Sequence, residues 1–474
     1  MAEGGKGVRY IHSTLSVGKL RTWGRDVQNC VARKGKLHPD TKDWINGANL
    51  TAGNSKQSGT NKAYRFRNLF GLLSIEFLLW CWQFANKKAS AGVDRIDANA
   101  YEENLHGNIK QLVAQVKAKT YRAKLVLRKY IPKLGGKLRP LGIPTMADKL
   151  LQLAVAKILE AIYEQDFLSC SYGYRPKKSA HDAVKDLSAT LESGRYHYLV
   201  EADIKGFFNN IDHDLLLEML SRRIDDKPFL NLIRKWLKAG ILDEGRIINP
   251  TTGTPQGGIV SPILANIYLH HVLDGWFHEK VQTHCRGQVY LCRYADDFVC
   301  AFEYENDARR FYQTLKLRLN KFGLEVAEDK TSMMTFSPIY PKLNTRFEFL
   351  GFEFHWELSQ RYKRTCWRKP LLKRRTSRKK LSASRANFTQ WFKKNCQLPK
   401  KILFKKLNRK LRGYYNYYGI RGNYKSLNSF AYHITQTFQK WLNRRSQRKS
   451  YNWLGFKEMV KHFGIAKPCI CHDF

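Results

Sequence analysis

Apolar residues recur at helical intervals from Tyr64 to Phe84, from Tyr101 to Lys119 and from Asp148 to Tyr163, which predicts three helical segments. The stretch KLVLRKYIPKLGGKLRPLGIP, Lys124 to Pro144, instead alternates apolar residues around Gly135-Gly136, as a β-hairpin does. HYLVEADI (197–204) has the near-continuous apolar character of a buried strand. VYLCRYADDFVCAF (289–302) reads as a second hairpin with Ala295-Asp296-Asp297-Phe298 at its tip. Helices alternating with these strands make the middle of the chain α+β. Residues 36–62, rich in Gly, Asn, Ser, Thr and Lys, read as a loop or linker, and no short repeat suggests a solenoid.

The pattern changes after the last strands. From Arg361 to Ser450 there are 28 Lys plus Arg and no Asp or Glu, on a helical rhythm exemplified by ILFKKLNRKLRGYYNYYG (402–419). A merely solvated face mixes both signs, so this segment reads as a helical nucleic-acid-binding domain. Its aromatics, including Trp367, Trp391, Tyr414, Tyr415, Tyr417, Tyr418 and Trp441, are expected mostly in the core of a three-helix packing, the remainder being free to stack on bases. A tail, Tyr451 to Phe474, carries Trp453, Phe456 and Phe463 at helical spacing.

Charge strengthens this picture. The 474 residues hold 83 Lys plus Arg against 40 Asp plus Glu, a formal net charge of +43. Such an excess opposes compaction unless a polyanion is present, and nucleic acid fits better than an anionic membrane surface. The most apolar stretch, Leu69 to Ala85, is interrupted by Glu76 and Gln83 and is too short to span a bilayer; it reads as a buried helix. The opening residues lack the apolar segment of a secretory signal, and ten scattered cysteines suit a reducing compartment, so a cytoplasmic location is expected. Cys469-x-Cys471-His472 has no second ligand pair nearby and reads as an incidental tail rather than a zinc site.

The chemistry lies in two acidic sites. Asp203 ends the apolar strand of VEADIKGFFNNIDH, and Asp296-Asp297 sits between two apolar strands. Alone, Asp203 could be a helix cap and Asp296-Asp297 a solvated turn. Together, three carboxylates held by a sheet would repel one another unless cations join them. Mg²⁺ prefers such hard oxygen ligands, and two ions roughly 4 Å apart can activate an attacking 3′-hydroxyl and stabilise a leaving pyrophosphate.

Tyr294-Ala295-Asp296-Asp297 matches the YxDD signature of reverse transcriptases, and Asp203-Ile204-Lys205-Gly206-Phe207-Phe208 resembles their first palm motif. Gly253-Thr254-Pro255-Gln256-Gly257-Gly258 with Ser261-Pro262, Gly136 to Pro144, Ser171-Tyr172-Gly173-Tyr174-Arg175-Pro176 and Phe349-Leu350-Gly351-Phe352 resemble further blocks in family order. The PLGIP, SYGYRP and TPQGGIVSP forms resemble the group II intron proteins, over about Ala91 to Phe354.

The resemblance implies a right-hand polymerase: an N-terminal extension and start of fingers (1–88), fingers and palm with an antiparallel sheet (89–355), a basic helical thumb or maturase domain (356–450) and a tail (451–474). It implies an RNA-directed DNA polymerase using dNTPs, an RNA template and a DNA or RNA primer, with two Mg²⁺ (Mn²⁺ as a substitute) and group II intron RNA as partner. Asp203 and Asp296 would ligate the metals, Asp297 would support them, and Ile204 falls in the metal- and substrate-contacting set. Phe208, preferred over Phe207, would exclude a 2′-hydroxyl. Gln256 would meet the incoming nucleotide, Lys133 and Arg139 its triphosphate, and Lys330 the pyrophosphate. No HNH-type nuclease module is expected after the tail. A reverse transcriptase domesticated for repair or defence, and a splicing factor that uses the fold mainly to bind RNA, are the competing readings.

Overall fold

The computed structural model describes residues 54, 59, 62–132, 138–254, 256–339, 341–358, 370–445 and 451–474. Lys133, the Gly135-Gly136 turn, Trp367 and almost all of the expected loop 36–62 lie outside them. The chain divides into two compact units, one spanning residues 35–373 and one whose described part is 374–474.

In the first unit the strands are β1 (Val126–Pro132), β2 (Leu138–Ile143), β3 (Tyr198–Ala202), β4 (Ile241–Asp243), β5 (Arg246–Ile248), β6 (Val289–Tyr294), β7 (Asp297–Phe302), β8 (Ser332–Thr335), β9 (Arg346–Phe349) and β10 (Phe352–Leu358). One sheet, in the order β2-β1-β4-β5, contains the expected hairpin, with Leu127 opposite Ile143 and Pro132 opposite Leu138. A second, in the order β6-β7-β3-β8, is antiparallel throughout and buries its apolar runs, including Leu199, Val200 and Phe298 to Phe302. Helices Met146–Tyr163 and Ser261–Leu269 contribute to the large core beside it, as does Glu305–Asn320. The fold class is therefore α+β, as expected.

Two of the predicted helices are shorter. Ser74 Oγ accepts the Phe77 N–H (3.2 Å) and starts a helix only at Ile75, running to Trp82. Before it, a single turn covers Phe70–Leu72, and Phe66 pairs in a parallel bridge with Ile224. There the Phe66 N–H donates to the Arg223 carbonyl and the Asp225 N–H to the Phe66 carbonyl, so a distant partner overrides the helical spacing of Tyr64 to Leu69. The Tyr101–Lys119 pattern breaks at Asn104 (φ −128°, ψ 51°) into Ala98–Glu103 and Leu105–Lys117. No helix of the described residues is long and apolar enough to cross a membrane.

The described part of the basic segment opens on a strand rather than a helix. Strand β11 (Pro370–Thr376), across the boundary of the units, alternates buried and accessible positions. Helices Arg378–Asn395, Lys400–Tyr418 and Tyr424–Asn443 follow, and Trp453–Phe463 of the tail adds Phe456 and Met459 to their common core. Tyr414 and Tyr415 are buried in it, as expected, and Trp391 packs partly buried against it. At the end of the tail the Cys469 and Cys471 sulfurs lie exposed, 3.4 Å apart, and His472 Nε2 meets the Asn416 carbonyl.

Phe438 ties this core together. It is fully buried, with ring centroids 5.1 Å from Phe392, 5.1 Å from Phe404 and 5.8 Å from Phe456. Phe438→Ala removes all three contacts and leaves a cavity, so it should destabilise the unit by about 3–5 kcal/mol in a denaturant melt. A loss under about 1 kcal/mol would show that the helices do not depend on this packing.

Candidate active site

The register of the β6-β7-β3-β8 sheet brings the acidic motifs to one end. Ala202 pairs with Phe298 at the end of the β3–β7 ladder, so Asp203 and Asp297 follow at the same edge. Tyr294 pairs with Asp297, leaving Ala295 and Asp296 as the hairpin tip. The Asp203 carbonyl accepts the Ala327 N–H (2.8 Å), and the Lys205 N–H donates to Glu325 (2.9 Å), which clamps the segment after β3.

Asp296 lies within electrostatic reach of Asp203. Burial pushes the Asp296 carboxyl above the usual carboxylate range, and the charge of Asp203 pushes it further, while Arg139 and Lys330 oppose the rise. Lys330 forms an ion pair with Asp203, and that hydrogen bond raises its own ammonium pKa. Asp297 is exposed at the start of β7. Among the described residues no three His, Cys, Asp or Glu side chains form a ready-made metal cage; Lys330 supplies positive charge to Asp203. The donor set is nevertheless hard oxygen, with one carboxylate buried beside a second, which is the arrangement a divalent cation relieves.

The β1–β2 hairpin reaches the same place. The Gly142 N–H donates to the Gln256 carbonyl (2.5 Å), and Arg139 Nε donates to Gln256 Oε1 (3.4 Å). Gly257 permits this approach: its φ is +119°, and a Cβ there would lie 2.3 Å from the Gly142 carbonyl oxygen. The Thr254 N–H donates to the Phe208 carbonyl (2.7 Å), tying the same loop to the helix Phe207–Asn210. Phe208 is 8% exposed and Phe207 2%. Ile204 is buried and bridges Val326.

Asp203, Asp296, Asp297, Arg139, Gln256 and Lys330 are thus brought together, with Phe208 joined through the Thr254 loop. Two further residues have no role assigned by the motifs, Tyr174 inside the SYGYRP block and Arg293 outside any of them. Tyr174, at φ +56°, is exposed over part of its ring, and its hydroxyl pKa is raised by desolvation and by the charge of Asp296. Arg293, in the apolar strand β6, is completely buried and paired with Asp274. The available signal was a lone arginine in the apolar run VYLCRY, since such a charge needs a buried partner.

Residues 131–354 match the family model "Reverse transcriptase (RNA-dependent DNA polymerase)", and residues 381–458 match "Group II intron, maturase-specific domain". Group II intron-encoded protein LtrA of Lactococcus lactis subsp. cremoris is 32% identical over 467 residues, covering 80% of this chain and 74% of LtrA. This chain belongs to the group II intron-encoded reverse transcriptases. Protein YkfC of Escherichia coli (strain K12) is 33% identical over 298 residues, 55% of this intron-encoded reverse transcriptase and 74% of YkfC. An uncharacterized 91 kDa protein in the cob intron of Schizosaccharomyces pombe is 42% identical over 181 residues, 38% of this chain and 22% of that protein. This reverse transcriptase is accordingly an RNA-directed DNA polymerase that also carries a maturase-specific domain.

Proposed function

We propose that this reverse transcriptase extends a DNA or RNA primer with dNTPs on an RNA template by two-metal catalysis, and that it binds group II intron RNA to promote splicing and mobility. The observation that carries the reading is the meeting of Asp203 with Asp296-Asp297 at one edge of the sheet, beside Arg139 and Gln256. In this reading the β6-β7-β3-β8 sheet is the palm, the β1–β2 hairpin the fingers and the basic helices the thumb.

Asp203 and Asp296, with Asp297 and the Ile204 carbonyl, would hold two Mg²⁺, for which Mn²⁺ can substitute. Bound there, the ions supply activation of the 3′-hydroxyl and charge neutralisation at the leaving pyrophosphate. Arg139 presents a planar fork of donors to the triphosphate, and Lys133 would add a second positive charge there. Lys330 holds its proton firmly beside Asp203, as a group that meets a pyrophosphate must. Gln256, steadied by Gly142, contacts the incoming nucleotide.

Phe208 sets sugar selection. Its carbonyl accepts the Thr254 N–H, which ties its backbone to the loop that carries Gln256. Template-dependent cDNA synthesis tests both ideas. Wild-type protein should extend a primer on an RNA template with dNTPs and Mg²⁺. Phe208→Val should raise rNTP incorporation about 10–100-fold relative to dNTP, equivalent to about 1.4–2.7 kcal/mol of lost discrimination. No synthesis by the wild type would sink the polymerase reading; unchanged selectivity in the variant would sink only the role of Phe208.

A splicing role has its own support. The maturase-specific match spans helices on which basic residues far outnumber the one acid, Glu458, and such an excess suits a sequence-independent grip on folded RNA.

A further inference from the structure

The hairpin tip that carries Asp296 is an awkward piece of chain. Ala295 adopts φ +58°, a left-handed conformation that costs an L-residue about 1–2 kcal/mol. Something must over-determine that turn if its carboxylates are to stay in place.

Arg293 does so with every donor it has. Its Nε donates to Asp274 Oδ1 (2.6 Å), and its Nη2 to Asp274 Oδ2 (2.5 Å) and Ser171 Oγ (2.7 Å). Its Nη1 donates to Asn266 Oδ1 (3.1 Å) and to the carbonyl of Ala295 itself (3.1 Å). A guanidinium has five N–H groups in a fixed fork, and these are five acceptors. One of them lies on the strained residue next to Asp296.

The acceptors come from three parts of the fold. Ser171 precedes Gly173, whose carbonyl accepts from Asn266 Nδ2 (2.7 Å) and whose missing Cβ would lie 2.3 Å from the Ala295 nitrogen. The backbone of this segment is laced to β6, with the Arg293 N–H on the Cys170 carbonyl (2.8 Å) and the Tyr172 N–H on the Arg293 carbonyl (2.9 Å). Asp274 lies in a π-helical turn, His270–Asp274, that continues the helix carrying Asn266. A π-helical turn redirects side chains relative to an uninterrupted α-helix, and here one of them is the carboxylate that receives Arg293.

We infer that Arg293 is a positioning residue for polymerisation: its buried guanidinium, held by Asp274, Ser171 and Asn266, fixes the Ala295 turn and thereby the place of the Asp296 and Asp297 carboxylates. The inference rests on the two-metal reading of those carboxylates. It assigns work to four residues outside the metal- and nucleotide-contacting set, linked through one buried charge.

Arg293→Lys keeps the charge but has three donors for five acceptors and lacks the fork. It should lower kcat for dTTP addition on poly(rA)/oligo(dT) about 100-fold, leaving the KM for dTTP within about threefold and template–primer affinity within about twofold. The half-saturating Mg²⁺ concentration should rise at least about fivefold. Mn²⁺ binding measured by electron paramagnetic resonance, independent of turnover, should weaken by a similar factor. Mn²⁺ should also restore part of the rate, because it binds such a site more tightly than Mg²⁺.

A wild-type rate and Mg²⁺ midpoint in Arg293→Lys would overturn the inference, as would a slower enzyme with unaltered metal affinity, the outcome of a purely structural role. Ser171→Ala removes a single acceptor and decides the matter if the lysine variant does not fold. It should shift the Mg²⁺ midpoint in the same direction by about twofold, and no shift would be contrary. Asp296→Asn measured alongside separates the two ideas: full activity there defeats the metal reading, whereas an inactive Asp296→Asn beside a normal Arg293→Lys defeats only the positioning role.

Discussion

Asp296→Asn should lose at least about 10³-fold in the rate of primer extension, close to 4 kcal/mol of transition-state stabilisation, while the protein folds as well as before or better. The two halves of that expectation have one cause. Burial and the neighbouring charge of Asp203 both push the Asp296 carboxyl upward, so the folded state disfavours its ionised form. A raised carboxyl pKa subtracts stability at neutral pH, where the unfolded chain keeps the group ionised in water. Asparagine preserves the shape and removes the charge; the strain between Asp296 and Asp203 disappears together with the ability to hold cations. A melting temperature equal to or above the wild-type value, RNA affinity within twofold and no cDNA is therefore the combined result to look for. Normal extension by this variant would refute the assignment of the carboxylates. A variant that loses activity only because it unfolds would refute the claim that the charge is retained for chemistry at the expense of stability.

The candidate site was legible in the sequence wherever a short motif and a strand boundary coincide. Asp203 closes an apolar strand, and Asp296-Asp297 interrupts two others; pairing β3 with β7 then carries the motifs to one edge. Gln256 and Arg139 were found as separate motifs, but their contact was not, since it depends on Gly257 bringing one backbone against another. Arg293 was the least legible. Its acceptors on Ser171, Asn266 and Asp274 lie 122, 27 and 19 residues away, and no local pattern reports a buried ion pair. The same limit explains the helices. Apolar spacing from Tyr64 onward satisfied a helix as well as it satisfies burial, and the bridge from Phe66 to Ile224 decided between them. Strand β11 was hidden for a different reason: charge dominates the pattern of the basic segment, whereas the burial of β11 alternates through Leu372, Arg374 and Thr376.

The second large effect concerns RNA binding. On the helix Lys400–Tyr418, Lys401, Lys405, Arg409 and Arg412 are all exposed, and their spacing of four, four and three places them in one stripe. Like charges four apart on a helix destabilise it by about 0.2–0.5 kcal/mol per pair, and no acid anywhere from Arg361 to Ser450 offsets them. A stripe held against its own repulsion is one that a polyanion completes. Replacing all four by alanine should thus leave the unit as stable as before or slightly more so, because alanine is the better helix former and the repulsion is gone. Binding to a structured RNA should nevertheless weaken about 10–100-fold near 0.15 M salt. If each side chain neutralises one phosphate, the slope of log K against log salt should become shallower by about 3. The magnitude of the slope change distinguishes contact from mere proximity: a general loss of positive field would lower affinity but scarcely alter the number of counterions displaced. Fluorescence anisotropy titrations over a range of salt concentrations measure both quantities. An unchanged slope would mean that the RNA lies on another face of these helices, however basic this one is.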